Sequence, residues 1–224
     1  MCKKLVFSIF FPVFSTAKLT SVRILMELAA KEDLIVHQMD VKRAYLNADI
    51  DHEIYVDQPQ GFIEYGKDGQ QLVYRLKKSL YGLKQSGRNW NALLDDFLRN
   101  LNFDQSQADN CVYVRNSNGL LTIIIVWVDD LIIASNSTKC INVVKRALCS
   151  KFSMKDFGLI SNFLGIQFEL NDDSIKMHQS KFIEKILTKF KMIDCNPKST
   201  PCDPGSAKVD SIEDSKPLDD CNLS

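Results

Sequence analysis

Two carboxylates, Asp129 and Asp130, sit side by side in the stretch IIIVWVDDLIIAS, residues 123–135. An unpaired carboxylate in apolar surroundings costs several kcal/mol, on the order of a domain's whole stability. Two such groups therefore need a physical remedy. On a regular strand, neighbouring side chains point to opposite faces; at a hairpin turn both can approach one point. A divalent cation would neutralise that point. Mg²⁺ takes oxygen ligands and binds through one or two carboxylates plus substrate phosphates. A third carboxylate would let the site hold two ions, one activating an attacking hydroxyl and one neutralising a leaving pyrophosphate. Asp40 is the candidate, 89 residues before Asp129 (129 − 40), in QMDVKRAYLN at the end of an expected strand. The competing readings are a solvated Asp-Asp turn and a strand-end Asp that caps the next turn. Against the first, structural hairpin turns more often carry Asn-Gly or Asp-Gly. Tyr45 follows Asp40 after the small Ala44, and its ring could wall a pocket for a sugar.

The elements around these residues can be read from periodicity. Val22, Leu25, Met26 and Ala29 fall at i, i+3, i+4, i+7, which predicts a helix over 20–33 capped by Thr20 or Ser21. LIVHQMDV (34–41) reads as a strand in which Asp40 shares a face with Gln38, Val36 and Leu34. Strands are expected over 53–59 and 72–78, and a helix over 88–101 whose stripe of Trp90, Leu93, Leu94, Phe97, Leu98 and Leu101 is core. CVYVR, the turn at 116–119 and LLTIIIVWV make a hairpin, and LIIAS returns from Asp129-Asp130 as a further strand. A helix over 139–152, a second hairpin with its turn at 171–174, and a basic helix over 181–191 follow. From Cys195 onward four prolines and the lack of aromatics indicate a disordered tail. Helices interleaved with antiparallel hairpins give an α+β class.

Composition narrows the setting. Of 224 residues, 45% are hydrophobic and 25% charged, the balance of a globular chain that can bury a core. Net charge is zero, so any nucleic-acid surface must come from local clustering. The seven cysteines are odd in number and form no C-x-x-C, which argues against a zinc site and a disulfide framework. MCKKLVFSIFFPVFSTA resembles a secretory leader, but Pro12 interrupts its apolar part and the thiol pattern opposes export. No apolar run reaches the roughly 20 residues of a membrane span.

Clusters of cations do occur. Arg75, Lys77, Lys78, Lys84 and Arg88 lie within fourteen residues with no acid between them, beside Tyr74, Tyr81 and Trp90. Cations interleaved with aromatics suit a nucleic-acid backbone plus base stacking, against the plainer reading of a solvated face. Lys181, Lys185 and Lys189 repeat along one helix face opposite Phe182, Ile183, Ile186, Leu187 and Phe190. His37, His52 and His178 show no ligand spacing and read as structural.

Five ordered motifs carry a family resemblance. QMDVKRAYLNADIDHEIYVDQPQGF, LKKSLYGLKQSGRNW, VWVDDLIIAS, FSMKDFGLISNFLGIQF and DCNPKSTP together resemble the reverse transcriptase of copia-type LTR retrotransposons, from about Phe11 to Pro204. The resemblance implies a reverse-transcriptase palm, an antiparallel sheet flanked by helices, over 34–170. It also implies residual, truncated fingers with a leading helix over 1–33, a partial thumb over 171–200, and a tail over 201–224. It makes Asp40 and Asp129 the catalytic aspartates that coordinate two Mg²⁺ or Mn²⁺ ions, with Asp130 accessory and the Val41 carbonyl a backbone ligand. Tyr45 matches the position that excludes a 2′-hydroxyl. Tyr81, Gly82, Gln85 and Ser86 match the segment that positions template base and nucleotide, and Phe163, Leu164 and Gly165 match the primer grip. The basic helix with Lys181, Lys185 and Lys189 becomes a thumb helix tracking a template–primer duplex through backbone and shape.

Trp127 stands where the family usually has Tyr, close to where the primer terminus would lie, and Gly87 stands where Pro is usual. MCKKLVFSIF does not match the family's basic K-A-R-L-V-x-x-G strand, whose side chains would neutralise triphosphate charge. Their lack would lower the rate by ~10²–10³. The expected activity is RNA-directed DNA polymerisation, with a template–primer, a dNTP and other parts of a Pol polyprotein as partners and no membrane. The setting would be the cytoplasm, a virus-like particle or the nucleus. The alternatives are an inactive remnant that at most binds nucleic acid, and a two-metal nuclease. The nuclease reading is weakened because no His or Glu stands in either motif.

Overall fold

The computed structural model describes residues 16–171 and 174–199. The leader-like segment over 1–15, Asp172 and Asp173 of the expected turn, and the tail over 201–224 lie outside the described residues.

Helix α1 (Leu19–Lys31) buries Val22, Leu25, Met26 and Ala29, the four residues its spacing singles out. Its cap differs from expectation. Lys18 occupies the N-cap without a side-chain bond, and Ser21 lies inside the helix. Asp109 caps from 91 residues away instead, accepting the Lys18 N–H at 2.7 Å and the Ser21 hydroxyl at 2.6 Å. Burial pushes the Asp109 carboxyl up, but hydrogen bonds from Ser21, Lys18 and Cys111 outweigh it and hold the group below its usual value. An ionised carboxylate at a helix N-terminus satisfies orphan N–H groups and the helix dipole together.

The main sheet has six antiparallel strands. In chain order they are β1 (Ile35–Val41), β4 (Asp104–Gln105), β5 (Val112–Ser117), β6 (Leu120–Trp127), β7 (Asp130–Ser135) and β8 (Met154–Leu159), and in space β4-β5-β6-β7-β1-β8. Thr122 to Val126 and Leu131 to Ser135 are buried without interruption. Side chains alternate between faces, so both faces of β6 and β7 are covered, which is why these strands read as unbroken apolar runs rather than as alternation. Helix α3 (Ser86–Asn100) buries Trp90, Leu94 and Leu98, and α4 (Thr138–Lys151) buries Ile141, Val144 and Leu148. Trp90 meets Phe152 edge-on at 5.2 Å, and Phe152 meets Phe97 at 5.3 Å. Lys145 of α4 reaches the sheet, donating to both carboxylate oxygens of Asp156 at 2.7 and 2.8 Å and facing the His37 ring. This gives His37 the structural role expected of it.

Three features differ from expectation. The strands expected over 53–59 and 72–78 shrink to β2 (Tyr55–Val56) and β3 (Tyr74–Arg75). Buried Gln58 gathers the chain between them, donating to the carbonyls of Glu64 (2.9 Å) and Leu72 (2.6 Å) and accepting the Glu64 N–H (2.8 Å). Pro59 then ends the ladder, having no N–H to give. Secondly, MKDFGL forms β8 against the free side of β1, although its exposed side chains show no apolar alternation. Thirdly, a single turn of helix, α2 (Ala44–Asn47), follows β1.

A smaller sheet joins β9 (Asn162–Phe163), β10 (Ile166–Asn171) and β11 (Ser174–His178). The chain divides into two compact units at Gln179/Ser180, and β11 at the end of the first pairs along its whole length with β10. The second unit contains α5 (Ser180–Lys189), none of whose side chains is buried. Among the described residues no helix is long and apolar enough to cross a membrane.

Candidate active site

Strand pairing brings the three aspartates to one end of the sheet. β1 runs antiparallel to β7 with Asp40 directly opposite Asp130. Asp129 occupies the turn before β7, and its carbonyl accepts the Val41 N–H at 2.7 Å. Like charges directly opposite on neighbouring strands are destabilising. Burial and then the Asp129 charge push the Asp40 carboxyl up, while Lys155 and Lys42 pull it back. Burial pushes Asp130 up, a hydrogen bond from Gln38 lowers it, and Asp40 and Asp129 push it up again. Asp40 therefore feels the Asp129 charge, and Asp130 feels both Asp40 and Asp129.

Among the described residues no group of three or more His, Cys, Asp or Glu side chains is placed to hold a metal ion by itself. The donors at this sheet end are carboxylate oxygens, the chemistry Mg²⁺ prefers. Ions of that kind are held by one or two carboxylates with substrate phosphates supplying the rest, not by an all-protein cage. Oxygen donors of this kind are compatible with Mg²⁺ and offer nothing to a metal that needs nitrogen or sulfur ligands.

The turn itself is unusual. Trp127 pairs with Asp130, leaving Val128 and Asp129 as a two-residue loop. Val128 has φ +56°, and Asp129 is not among the residues with positive φ. That sign pattern belongs to a type II′ turn, which ordinarily places Gly first. A β-branched residue there is strained by roughly 1–3 kcal/mol. The indole N–H of Trp90, fully buried, donates to the Val128 carbonyl at 2.7 Å.

Two tyrosines line the same end. The Tyr45 and Tyr81 rings lie 4.5 Å apart at a 39° tilt. The Tyr81 hydroxyl donates to Asp129 Oδ2 at 3.2 Å. Burial, followed by the Asp129 charge, raises both phenols above their ordinary value. Gly82 has φ +94°, which bends the chain between Tyr81 and α3. Gln85 is the N-cap residue of α3. Ser86 is fully buried and its hydroxyl donates to the Leu80 carbonyl at 2.6 Å, so it braces the loop rather than facing a nucleotide.

The remaining expected contacts are scattered. Trp127, half-buried, ends β6 next to the turn. Phe163 is buried, and Leu164 and Gly165 form a β-turn with φ +52° and +76°. Arg75 pairs with Glu53 at 2.9 Å, Lys78 with Asp49 at 2.6 Å, and Arg88 with Asp51. The local run of cations thus meets acids from residues 49–53, which the sequence spacing concealed. Exposed pairs of this type are held by only ~0–1 kcal/mol, so a phosphate can displace them. Lys77 is exposed, and Lys181, Lys185 and Lys189 lie along α5.

Two residues at the site escaped sequence reasoning. Gln38 shares the Asp40 face by alternation, and a buried amide two residues before a carboxylate was the available signal. Trp90 reads as core by its spacing, but a buried indole N–H must find an acceptor, and here that acceptor is the Val128 carbonyl in the β6–β7 turn.

Comparison with known proteins bears on this geometry. Residues 5–204 match the family described as reverse transcriptase (RNA-dependent DNA polymerase), starting at residue 5 rather than at the Phe11 read from motifs. The chain is 39% identical over 196 residues to the retrovirus-related Pol polyprotein from transposon TNT 1-94 of Nicotiana tabacum, covering 86% of this chain and 14% of that protein. It is 32% identical over 187 residues to that from transposon RE1 of Arabidopsis thaliana, covering 84% and 13%. It is 32% identical over 168 residues to the Gag-Pol polyprotein of transposon Ty1-NL2 of Saccharomyces cerevisiae, covering 73% and 9%. The chain therefore spans about one seventh of the length of the Pol polyprotein from TNT 1-94. With the family match covering residues 5–204, the chain belongs to the reverse transcriptase family, and it is similar to a segment of the Pol polyproteins of copia-type retrotransposons.

Proposed function

We propose that this chain is the palm and part of the thumb of an RNA-directed DNA polymerase, extending a primer by nucleotidyl transfer from a dNTP. The observation that carries the reading is the register. Asp40 and Asp130 face each other across β1 and β7, and Asp129 sits in the adjoining turn, tied to Val41. Asp40 and Asp129 would hold Mg²⁺ or Mn²⁺, which when bound supplies charge for the primer 3′-hydroxyl and the departing pyrophosphate. Tyr45 would stand against the sugar and exclude a 2′-hydroxyl sterically. Its position is fixed by the Tyr81 ring. The Tyr81 hydroxyl, now on Asp129, would have to release that oxygen when substrate enters. Arg75, Lys77, Lys78, Lys84 and Arg88 would follow the phosphate backbone, and the lysines of α5 would track the duplex.

Primer extension on a poly-A template with oligo-dT, with and without Mg²⁺, tests this. The wild-type chain should extend, and Asp129→Asn should lower the rate by at least ~10²–10³. A folded wild-type chain that binds template–primer but never extends it would make this an inactive remnant, the reading that Trp127 and Gly87 favour.

A further inference from the structure

We infer that Trp90 is a positioning residue for the catalytic turn: its indole N–H locks the Val128–Asp129 peptide in the orientation that presents the Asp129 carboxylate. This inference rests on the polymerase reading for its functional meaning, but its structural content does not.

The turn between β6 and β7 has two competing conformations. A type II′ turn needs positive φ only at Val128, whereas type I′ needs it at Asp129 as well. The two differ chiefly by a flip of the peptide plane between these residues, which turns the Val128 carbonyl to the other side of the hairpin. Valine is among the residues least suited to positive φ, so the loop has no intrinsic preference that would hold it in place. The Val128 carbonyl is held by the Trp90 indole N–H, at 2.7 Å.

The donor is well anchored. Trp90 is fully buried on α3 and stacked edge-on against Phe152, which in turn packs on Phe97. At the same N-terminal end α3 is fixed by Ser86, bonded to the Leu80 carbonyl beside Tyr81, and by Asn89, whose amide donates to the Asp49 carbonyl at 3.2 Å. One rigid helix thus sets both the loop that carries Tyr81 and the turn that carries Asp129. Those two residues meet through the Tyr81 hydroxyl. The Asp129 carbonyl, on the next peptide, accepts from Val41 and so ties the turn to the strand bearing Asp40. Any buried indole N–H needs an acceptor; here the acceptor is a turn carbonyl that the two competing loop conformations would orient differently.

The test is residue-resolved amide hydrogen exchange on the full chain, without metal or substrate. Two variants remove the N–H: Trp90→Phe, and replacement of Trp90 by benzothienylalanine, which keeps the bicyclic ring and guards against a folding defect. Exchange should accelerate about tenfold or more at Asp129, Asp130 and Val41, with Ile124 and Ile132 in the strands unchanged. In a Val128→Gly background, where positive φ carries no strain, removing the N–H should accelerate exchange several-fold less. Unchanged exchange at the turn, acceleration spread over the whole sheet, or equal effects in both backgrounds would overturn the inference. Where the wild-type chain extends primers, kcat should fall about tenfold with the KM for dNTP within about twofold. Failure of extension in the wild type would count against the polymerase reading alone, since the exchange result stands without it.

Discussion

The centre of the main sheet and helix α5 use similar residues under opposite conditions. In β6 and β7, buried isoleucines lead up to Asp130 at the start of β7 and to Asp129 in the turn between the strands, and Ile124, Ile132 and Ile133 are wholly buried. In α5, lysines alternate with Phe182, Ile183 and Ile186, and each of these apolar side chains is at least 40% exposed. A charge set in the first region is fixed by backbone register and cannot move without disturbing a ladder. A charge in the second sits on a solvated face where a neighbour can substitute for it. Geometry-dependent chemistry therefore belongs to the sheet, and shape-tolerant backbone contact suits the helix.

The largest contrast should appear in stability. Ile132→Ala leaves a cavity between two covered faces and should destabilise by about 2–5 kcal/mol. Ile186→Ala in α5 should change unfolding free energy by less than about 0.5 kcal/mol. Urea titration of both variants measures the difference; equal losses would mean that α5 is packed as tightly as the sheet.

Lysines offer the next contrast. Lys145 is buried and bonded to Asp156 and His37, so Lys145→Ala should cost about 1–3 kcal/mol. Lys185→Ala should leave stability within about 0.5 kcal/mol. It should instead lower the salt slope of template–primer binding by about 1. A binding isotherm series over ionic strength would show whether α5 meets phosphate at all.

The smallest effect concerns the carboxylates. Burial and the neighbouring aspartates push Asp130 up in the folded chain. Its ionised form is thus disfavoured by folding, and that penalty operates above its folded pKa and vanishes once pH drops below the ordinary carboxylate value. Asp130→Asn should therefore stabilise the protein at neutral pH by a few tenths of a kcal/mol. The gain should disappear in acid. Thermal melts from pH 7 to pH 3 check the sign, and a variant that is destabilised at neutral pH would show that the Gln38 bond outweighs the repulsion.

What could be read from the sequence follows the same division. Periodicity located α1, α3 and α4 because each buries its own repeating pattern locally, and two unbroken apolar runs located the β6–β7 hairpin. Alternation along β1 placed Asp40 at a strand end, and the apolar flanks placed Asp129 at a turn. The pairing of Asp40 with Asp130 spans 90 positions (130 − 40) and is set by strand register, which no local pattern encodes. The α1 cap was misassigned to Thr20 or Ser21 for the same reason, since Asp109 arrives from elsewhere in the chain. β8 was missed because its side chains are mostly exposed, and the loop around Gln58 because one buried amide replaced a ladder. Trp90 was legible as core but not as a donor, since spacing reports burial and says nothing of where an N–H points.

The account depends on Asp40 and Asp129 acting together on one cation. Electron paramagnetic resonance titration of Mn²⁺ into the full chain, with template–primer and a non-hydrolysable dNTP present, measures this directly. The wild-type chain should bind Mn²⁺, and Asp40→Asn and Asp129→Asn should each weaken binding by at least about tenfold. Equal Mn²⁺ affinity in all three proteins would contradict the shared site.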